Sequence, residues 1–229
     1  MKRKFLTAAL VAAPLLWASA ANALLITITG GESPTFPPVF QTLASGGSPL
    51  ILPSTACCGA TNSFLVSADA TGTPPLASGS LDTNTIDVNS TAAGTLTLWV
   101  TEQGLTSPSG NVKFTSGLTS NAINGAISSV TLSTFFNPAN TVAPPNGTAL
   151  DSASFTGLGT QTLSTTDNVG SGPYSLVEVF TIVATGVGNT NLTIDLTSAA
   201  VTPEPGSLAV LGAGLVGLGV VGSLRRRRR

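Results

Sequence analysis

The chain has no histidine, and its 229 residues include only two cysteines, two tryptophans and one tyrosine. Without imidazole there is no Ser-His-Asp or Cys-His nucleophilic system, no histidine ligand for zinc, and none of the commonest general base. Charge is nearly as scarce, at 8% of residues. Eight of the nine basic side chains lie at the two ends. Between residues 24 and 202 only Lys113 is basic, against Glu32, Asp69, Asp82, Asp87, Glu102, Asp151, Asp167, Glu178 and Asp195. One positive charge against nine negative ones leaves that region at −8. Such a surface repels nucleic acid and anionic lipid, because phosphate binding rests on Lys and Arg. Two carboxylates can serve a glycosidase, but no spacing marks any pair of the nine, and solvated surface acids are the expectation. The composition points to a protein without enzymatic activity, cofactor or bound metal.

What the chain does have is concentrated at its ends. Lys2, Arg3 and Lys4 precede a mostly apolar stretch over 5–17, and Ala21-Asn22-Ala23 follows. That order is a secretory signal peptide over 1–23, with Ala21 and Ala23 as the small residues signal peptidase requires. At the other end, Pro203-Glu204-Pro205 leads into an uncharged apolar run over 208–224, closed by Arg225, Arg226, Arg227, Arg228 and Arg229. A helix rises about 1.5 Å per residue, so the run reaches roughly 26 Å, near the thickness of a bilayer's hydrocarbon core. Ser207 can cap this helix, and the arginines fix its end in the cytoplasm. Ala209, Ala213 and Gly217 form a small-residue ridge along one face of it. Gly212-Ala213-Gly214-Leu215-Val216-Gly217 matches a dinucleotide-binding fingerprint only by accident. No strand or crossover unit surrounds it, and no acid follows it.

Residues 24–200 read as one β-rich exported domain. Serine and threonine occupy 58 positions of the chain, most of them here, and Pro-Pro pairs at 37–38, 74–75 and 144–145 punctuate it. Between them run two-residue alternations typical of half-buried strands: 24–29, 64–68, 95–101, 112–114, 127–135, 161–165, 174–185 and 192–197. The stretch 174–185 is apolar on both faces, which predicts a central strand. No helical period with caps is present in the middle. The expected fold is mainly β, an antiparallel sandwich of jelly-roll type with eight to ten short strands. Loose loops are expected near 33–60 and 137–148. The run 82–89 (Asp82-Thr83-Asn84-Thr85-Ile86-Asp87-Val88-Asn89) offers oxygen ligands of the kind calcium takes, but lacks the Gly and distal Glu of the helix-loop-helix motif. It reads as a turn entering a strand. Cys57 and Cys58 are adjacent and cannot staple distant parts of one chain. They can form a strained ring disulfide, cross-link two molecules, or remain two thiols in a loop.

The three-part tail resembles the PEP-CTERM sorting segment of bacterial exported proteins, also known as the ice-binding-protein C-terminal motif. The resemblance covers 201–229 and does not reach the preceding domain. It implies that an exosortase-type sorting enzyme in the membrane recognises Pro203, Glu204 and Pro205. It further implies a Gram-negative cell with exopolysaccharide, passage through the inner membrane, and a mature protein at the cell surface or outside the cell. The leading expectation is a non-enzymatic cell-surface or matrix protein. Its rival is an adhesive, carbohydrate-binding sandwich, for which Trp99 and Tyr174 are the only Trp and Tyr side chains beyond the signal peptide. Replacing Glu204 with Ala should leave an unprocessed membrane-bound precursor, seen as a longer species in the membrane fraction. Normal maturation of that variant would remove the motif's role.

Overall fold

The computed structural model describes residues 25–31, 40–45, 50–57, 63–72, 79–141 and 147–201. These residues are mainly antiparallel β sheet, with no helix among them. In chain order the strands are β1 (Leu25–Gly31), β2 (Phe40–Ser45), β3 (Leu50–Cys57), β4 (Phe64–Thr71), β5 (Ser80–Ser90), β6 (Ala93–Leu105), β7 (Gly110–Asn137), β8 (Thr148–Phe155), β9 (Gly159–Val169) and β10 (Tyr174–Ala200). The signal peptide, the Pro203–Pro205 motif, the apolar run 208–224 and the five terminal arginines lie outside the described residues.

β7 and β10 are the frame. They pair antiparallel from Ser175 opposite Asn137 to Ala200 opposite Val112. The first half of β10 carries β6, then β1 and β2, on its other side, while β8 joins the matching half of β7. The second half of β10 carries β5, β4 and β3, while β9 joins the first half of β7. The sheet doubles back between these halves. Contacts equidistant from the bend show it: Thr83 on β5 hydrogen-bonds Glu178 on β10, and Ser116 and Thr134, both on β7, lie 2.8 Å apart. Among the described residues two six-stranded layers therefore face each other in a sandwich-like fold.

The bend has an identifiable cause. Between Ala184 opposite Ile127 and Gly188 opposite Gly125, β10 carries three residues where β7 carries one. Extra residues on one strand kink it and increase its twist. The carbonyls freed there find hydroxyls instead: Ser90 Oγ donates to Gly186 O at 2.7 Å, and Thr185 Oγ1 donates to Ala126 O at 3.1 Å. Gly125 sits at φ +67°, and a Cβ there would lie 2.7 Å from Val187 O. A Cβ on Gly188 would lie 2.6 Å from Asn124 O. Only glycine fits at either position.

The alternations seen in the sequence face the core. Leu96, Leu98, Phe180, Ile182 and Leu132 of one layer meet Leu81, Val88, Phe114, Leu192 and Leu196 of the other, all fully buried. Phe114, Phe136 and Tyr174 form an aromatic row, with centroids 5.8 and 5.4 Å apart.

Three expectations change. The stretches 112–114 and 127–135 are one strand of 28 residues, and 174–185 and 192–197 are one strand of 27 residues. The segment near 33–60 contains β2 and β3 rather than loop alone. The run 82–89 lies wholly inside β5. Gly125→Ala should lower unfolding stability by about 1–3 kcal/mol, the range for a side chain forced into a left-handed backbone. Gly157→Ala, where a Cβ meets nothing within 4 Å, should be near neutral. Urea denaturation of the two variants checks the contrast.

Candidate binding face

The outer face of the layer built on β6, the first half of β10, the second half of β7, and β8 carries one tryptophan among hydroxyls. Strand alternation points Leu98 and Val100 inward and Trp99 outward, where it is partly exposed. Register then builds two rows across the sheet. One runs Trp99, Val179, Ser133, Ser152, and the next runs Thr97, Thr181, Thr131, Ser154. The Ser133 and Ser152 hydroxyls lie 2.8 Å apart, and those of Thr131 and Ser154 lie 2.9 Å apart. Neither row contains a charge. Toward the end of the layer away from the bend, the turn after β7 folds across this face. Gln103 Nε2 donates to Asn140 O at 2.7 Å, and Gly104 N donates to Asn140 Oδ1 at 2.8 Å. Ser175 Oγ donates to Thr141 O at 3.1 Å. Asn140 accepts φ 53°, a conformation asparagine tolerates. Thr101 and Val177 are buried there.

Chemically, this face offers an indole surface beside paired hydroxyls that both donate and accept hydrogen bonds. It offers no nucleophile activated by a base. Tyr174, the other aromatic singled out in the sequence, is buried in the aromatic row at 1% exposure and is not part of the face. Burial lifts its phenol to about 12, with nearby Ser198 acting in the opposite sense and Glu102 adding to the rise.

The acids are not all solvated. Glu102 and Glu178 are at 0% exposure. Glu178 lies inside the sandwich beside Thr134, opposite Thr83, whose hydroxyl donates to its Oε2. Its Oε1 has no hydrogen-bond partner among the described residues. Burial holds this carboxyl well above the usual range, the Thr83 hydrogen bond acts against that, and the charges of Asp82, Asp195 and Glu102 add to it. Asp151 is the better-satisfied acid. Ser116 Oγ donates to its Oδ2 at 2.8 Å, and Thr165 Oγ1 reaches its Oδ1 at 3.1 Å. With Ser116's only proton so engaged, the Thr134 hydroxyl must be the donor in the Thr134–Ser116 bond.

On the outer face of the second layer, Asp82 stands directly opposite Asp195, with Asp69 nearby. Burial raises Asp82, and the charges of Asp195 and then Asp69 raise it further. Sequence spacing hid this grouping because the three residues come from β4, β5 and β10. Among the described residues no group of three or more His, Cys, Asp or Glu is arranged to hold a metal ion. Cys57 ends β3, and Cys58 lies outside the described residues. Among the described residues no helix is long and apolar enough to cross a membrane.

No protein-family model matches the chain, and no curated protein matches it. Solved structures with a related shape include the carbohydrate-binding module TmCBM61 in complex with β-1,4-galactotriose, at 9% identity and TM-score 0.31, covering 60% of this chain and 88% of that one. Another is the K1 cleaved adhesin domain of Lys-gingipain from Porphyromonas gingivalis, at 10% identity and TM-score 0.35, covering 68% of this chain and 100% of that one. A third is the CBM22-1–GH10 portion of xylanase 10B from Clostridium thermocellum, at 12% identity and TM-score 0.31, covering 52% of this chain and 22% of that one. Values this low do not carry a ligand or an activity from one protein to another.

Glu178 binds its proton more tightly folded than unfolded. Its contribution to stability is therefore full below the ordinary carboxylate range and is lost as pH rises from there toward ionisation of the buried group. Unfolding stability should decline across that window in the native chain. Glu178→Gln, which keeps a neutral acceptor for Thr83, should flatten the decline. Denaturant melts at a series of pH values read both slopes, and equal slopes would count against a protonated Glu178.

Proposed function

We propose that this is a non-enzymatic exported protein of the cell surface or extracellular polysaccharide matrix, an antiparallel sandwich of jelly-roll type delivered by a PEP-CTERM segment. The observation that carries this reading is where the two ends of the domain lie. β1 begins with Leu25 beside Gln103, and Val201 N donates to Asn111 O where β10 finishes. Both points sit at the end of the layers opposite the bend. The chain therefore enters and leaves the domain at one end, which suits a single side facing the membrane during export. The bend and the outer faces project outward. The enclosure of Glu102 and Glu178, the scarcity of cations, and the hydroxyl-rich outer rows suit a passive, hydrated role better than catalysis. Signal peptidase and an exosortase-type enzyme are the processing partners. Intact masses of protein from membranes and from culture medium test this reading. Loss of residues 1–23 and truncation near Pro203–Pro205 are expected, whereas full-length protein free in the cytosol would overturn it.

A second reading is favoured by Trp99. A partly exposed indole next to uncharged hydroxyl rows suits the apolar faces and hydroxyls of a polysaccharide. If the protein binds such a polymer through this face, Trp99→Ala should lose retention in a polysaccharide pull-down while keeping its circular dichroism. Unchanged retention would move the binding surface elsewhere.

A further inference from the structure

Among the described residues the two layers end in four edge strands: β2 and β8 on one, β3 and β9 on the other. Edge strands present unpaired backbone groups, and folded proteins blunt them with shortness, bulges, proline or charge. Three of the four carry such devices. β2 has six residues. β3 contains Pro53, and its register with β4 slips between Leu52 and Thr55. β8 has eight residues, contains Asp151, and slips against β7 between Thr134 and Phe135.

β9 carries none along most of its length. It pairs with β7 through eleven consecutive positions without a register shift, from Gly110 opposite Val169 to Ser120 opposite Gly159. Its sequence, Gly-Thr-Gln-Thr-Leu-Ser-Thr-Thr-Asp-Asn-Val, has no proline, lysine or arginine, and its one acid is Asp167. Thr160, Gln161, Thr162, Ser164 and Thr166 are exposed. Among the described residues β7 is its only strand partner. At about 3.4 Å per residue the open edge is roughly 37 Å long.

We propose that β9 pairs antiparallel with β9 of a second copy about a two-fold axis at Ser164, joining two six-stranded layers into one continuous sheet. The sequence is self-complementary in that register. Thr162 falls opposite the second copy's position 166 and Gln161 opposite its position 167. Thr162 with position 166 and Ser164 with its own copy then join hydroxyls, and Gln161 with position 167 joins an amide donor to a carboxylate. The fold already uses the hydroxyl pairing, at 3.2 Å between Thr119 and Thr160 and 2.8 Å between Ser133 and Ser152. In a domain with net charge −8, the uncharged run 159–166 is also where two copies approach with least repulsion. Leu158, 76% exposed just before β9, falls beside residue 170 of the second copy and is covered. This pairing is read from the sheet alone and stands apart from the route of export.

Light scattering of the mature protein should report a dimer that strengthens as salt screens the acidic surfaces. Thr162→Lys with Thr166→Lys, both at exposed positions, should return it to monomer with an unchanged circular dichroism spectrum. As a second readout, Ser164→Cys in a Cys57→Ser, Cys58→Ser background should oxidise to a disulfide-linked dimer, while Ser152→Cys on β8 should not. A monomer at every soluble concentration, a dimer indifferent to the lysines, or equal cross-linking at 152 would overturn the proposal. Capture of a foreign extended peptide by a protein that stays monomeric would do the same.

Discussion

The fold depends on the pairing of β7 with β10. Strands of 28 and 27 residues would each run about 90 Å if straight, at roughly 3.3 Å per residue. A compact chain of about 180 residues is only some 40 Å across. The pair must therefore fold over, and wherever it folds, every strand attached to it is carried into one of two layers. Gly125 and Gly188 meet that requirement at one place, because only there can the two backbones approach as closely as the bend demands. Once the bend is set, the inner faces have no solvent left to meet and must meet each other.

Doubling the sheet decides what happens to the polar side chains. Hydroxyls that fall inside are used across the gap, Thr83 with Glu178 and Ser116 with both Thr134 and Asp151. Burial there pushes the Glu178 carboxyl toward its neutral form, since a bare carboxylate without water costs several kcal/mol. Hydroxyls that fall outside line flat, nearly uncharged rows, interrupted on one face by Trp99 and on the other by the Asp69, Asp82 and Asp195 carboxylates. The same bend brings the first described strand and the end of β10 to one end of the domain, the arrangement that supports the proposed surface role. It also leaves β9 as a long straight edge at a corner of the sandwich.

Much of this was legible in the residues. Alternation at 95–101, 174–185 and 192–197 reflects which side chains are buried, because a strand with one covered face repeats every two residues. The doubly apolar stretch 174–185 lies between β6 and β7, as a central strand should. Continuity was not legible. The glycines at 125, 186 and 188 look like breaks between strands, yet they are the bend within strands that go on. Nor could spacing reveal that Asp82 faces Asp195 or that Glu178 is sealed inside, since both depend on pairing between segments about a hundred residues apart. β2 and β3 were hidden for another reason. Proline and small polar residues around them read as loop, but Pro53 is tolerated because β3 is an edge strand.

One bent pair of strands holds both layers as a single unit. Amide hydrogen exchange along β10 tests it most directly. Protected amides on the two sides of Val187, for example at Phe180 and Ile194, should exchange with the same free energy of opening and respond equally to denaturant, as they do when a structure opens only as a whole. If one side opens at a distinctly lower free energy than the other, the layers are separate units joined by a hinge, and the bent pair does not hold them together.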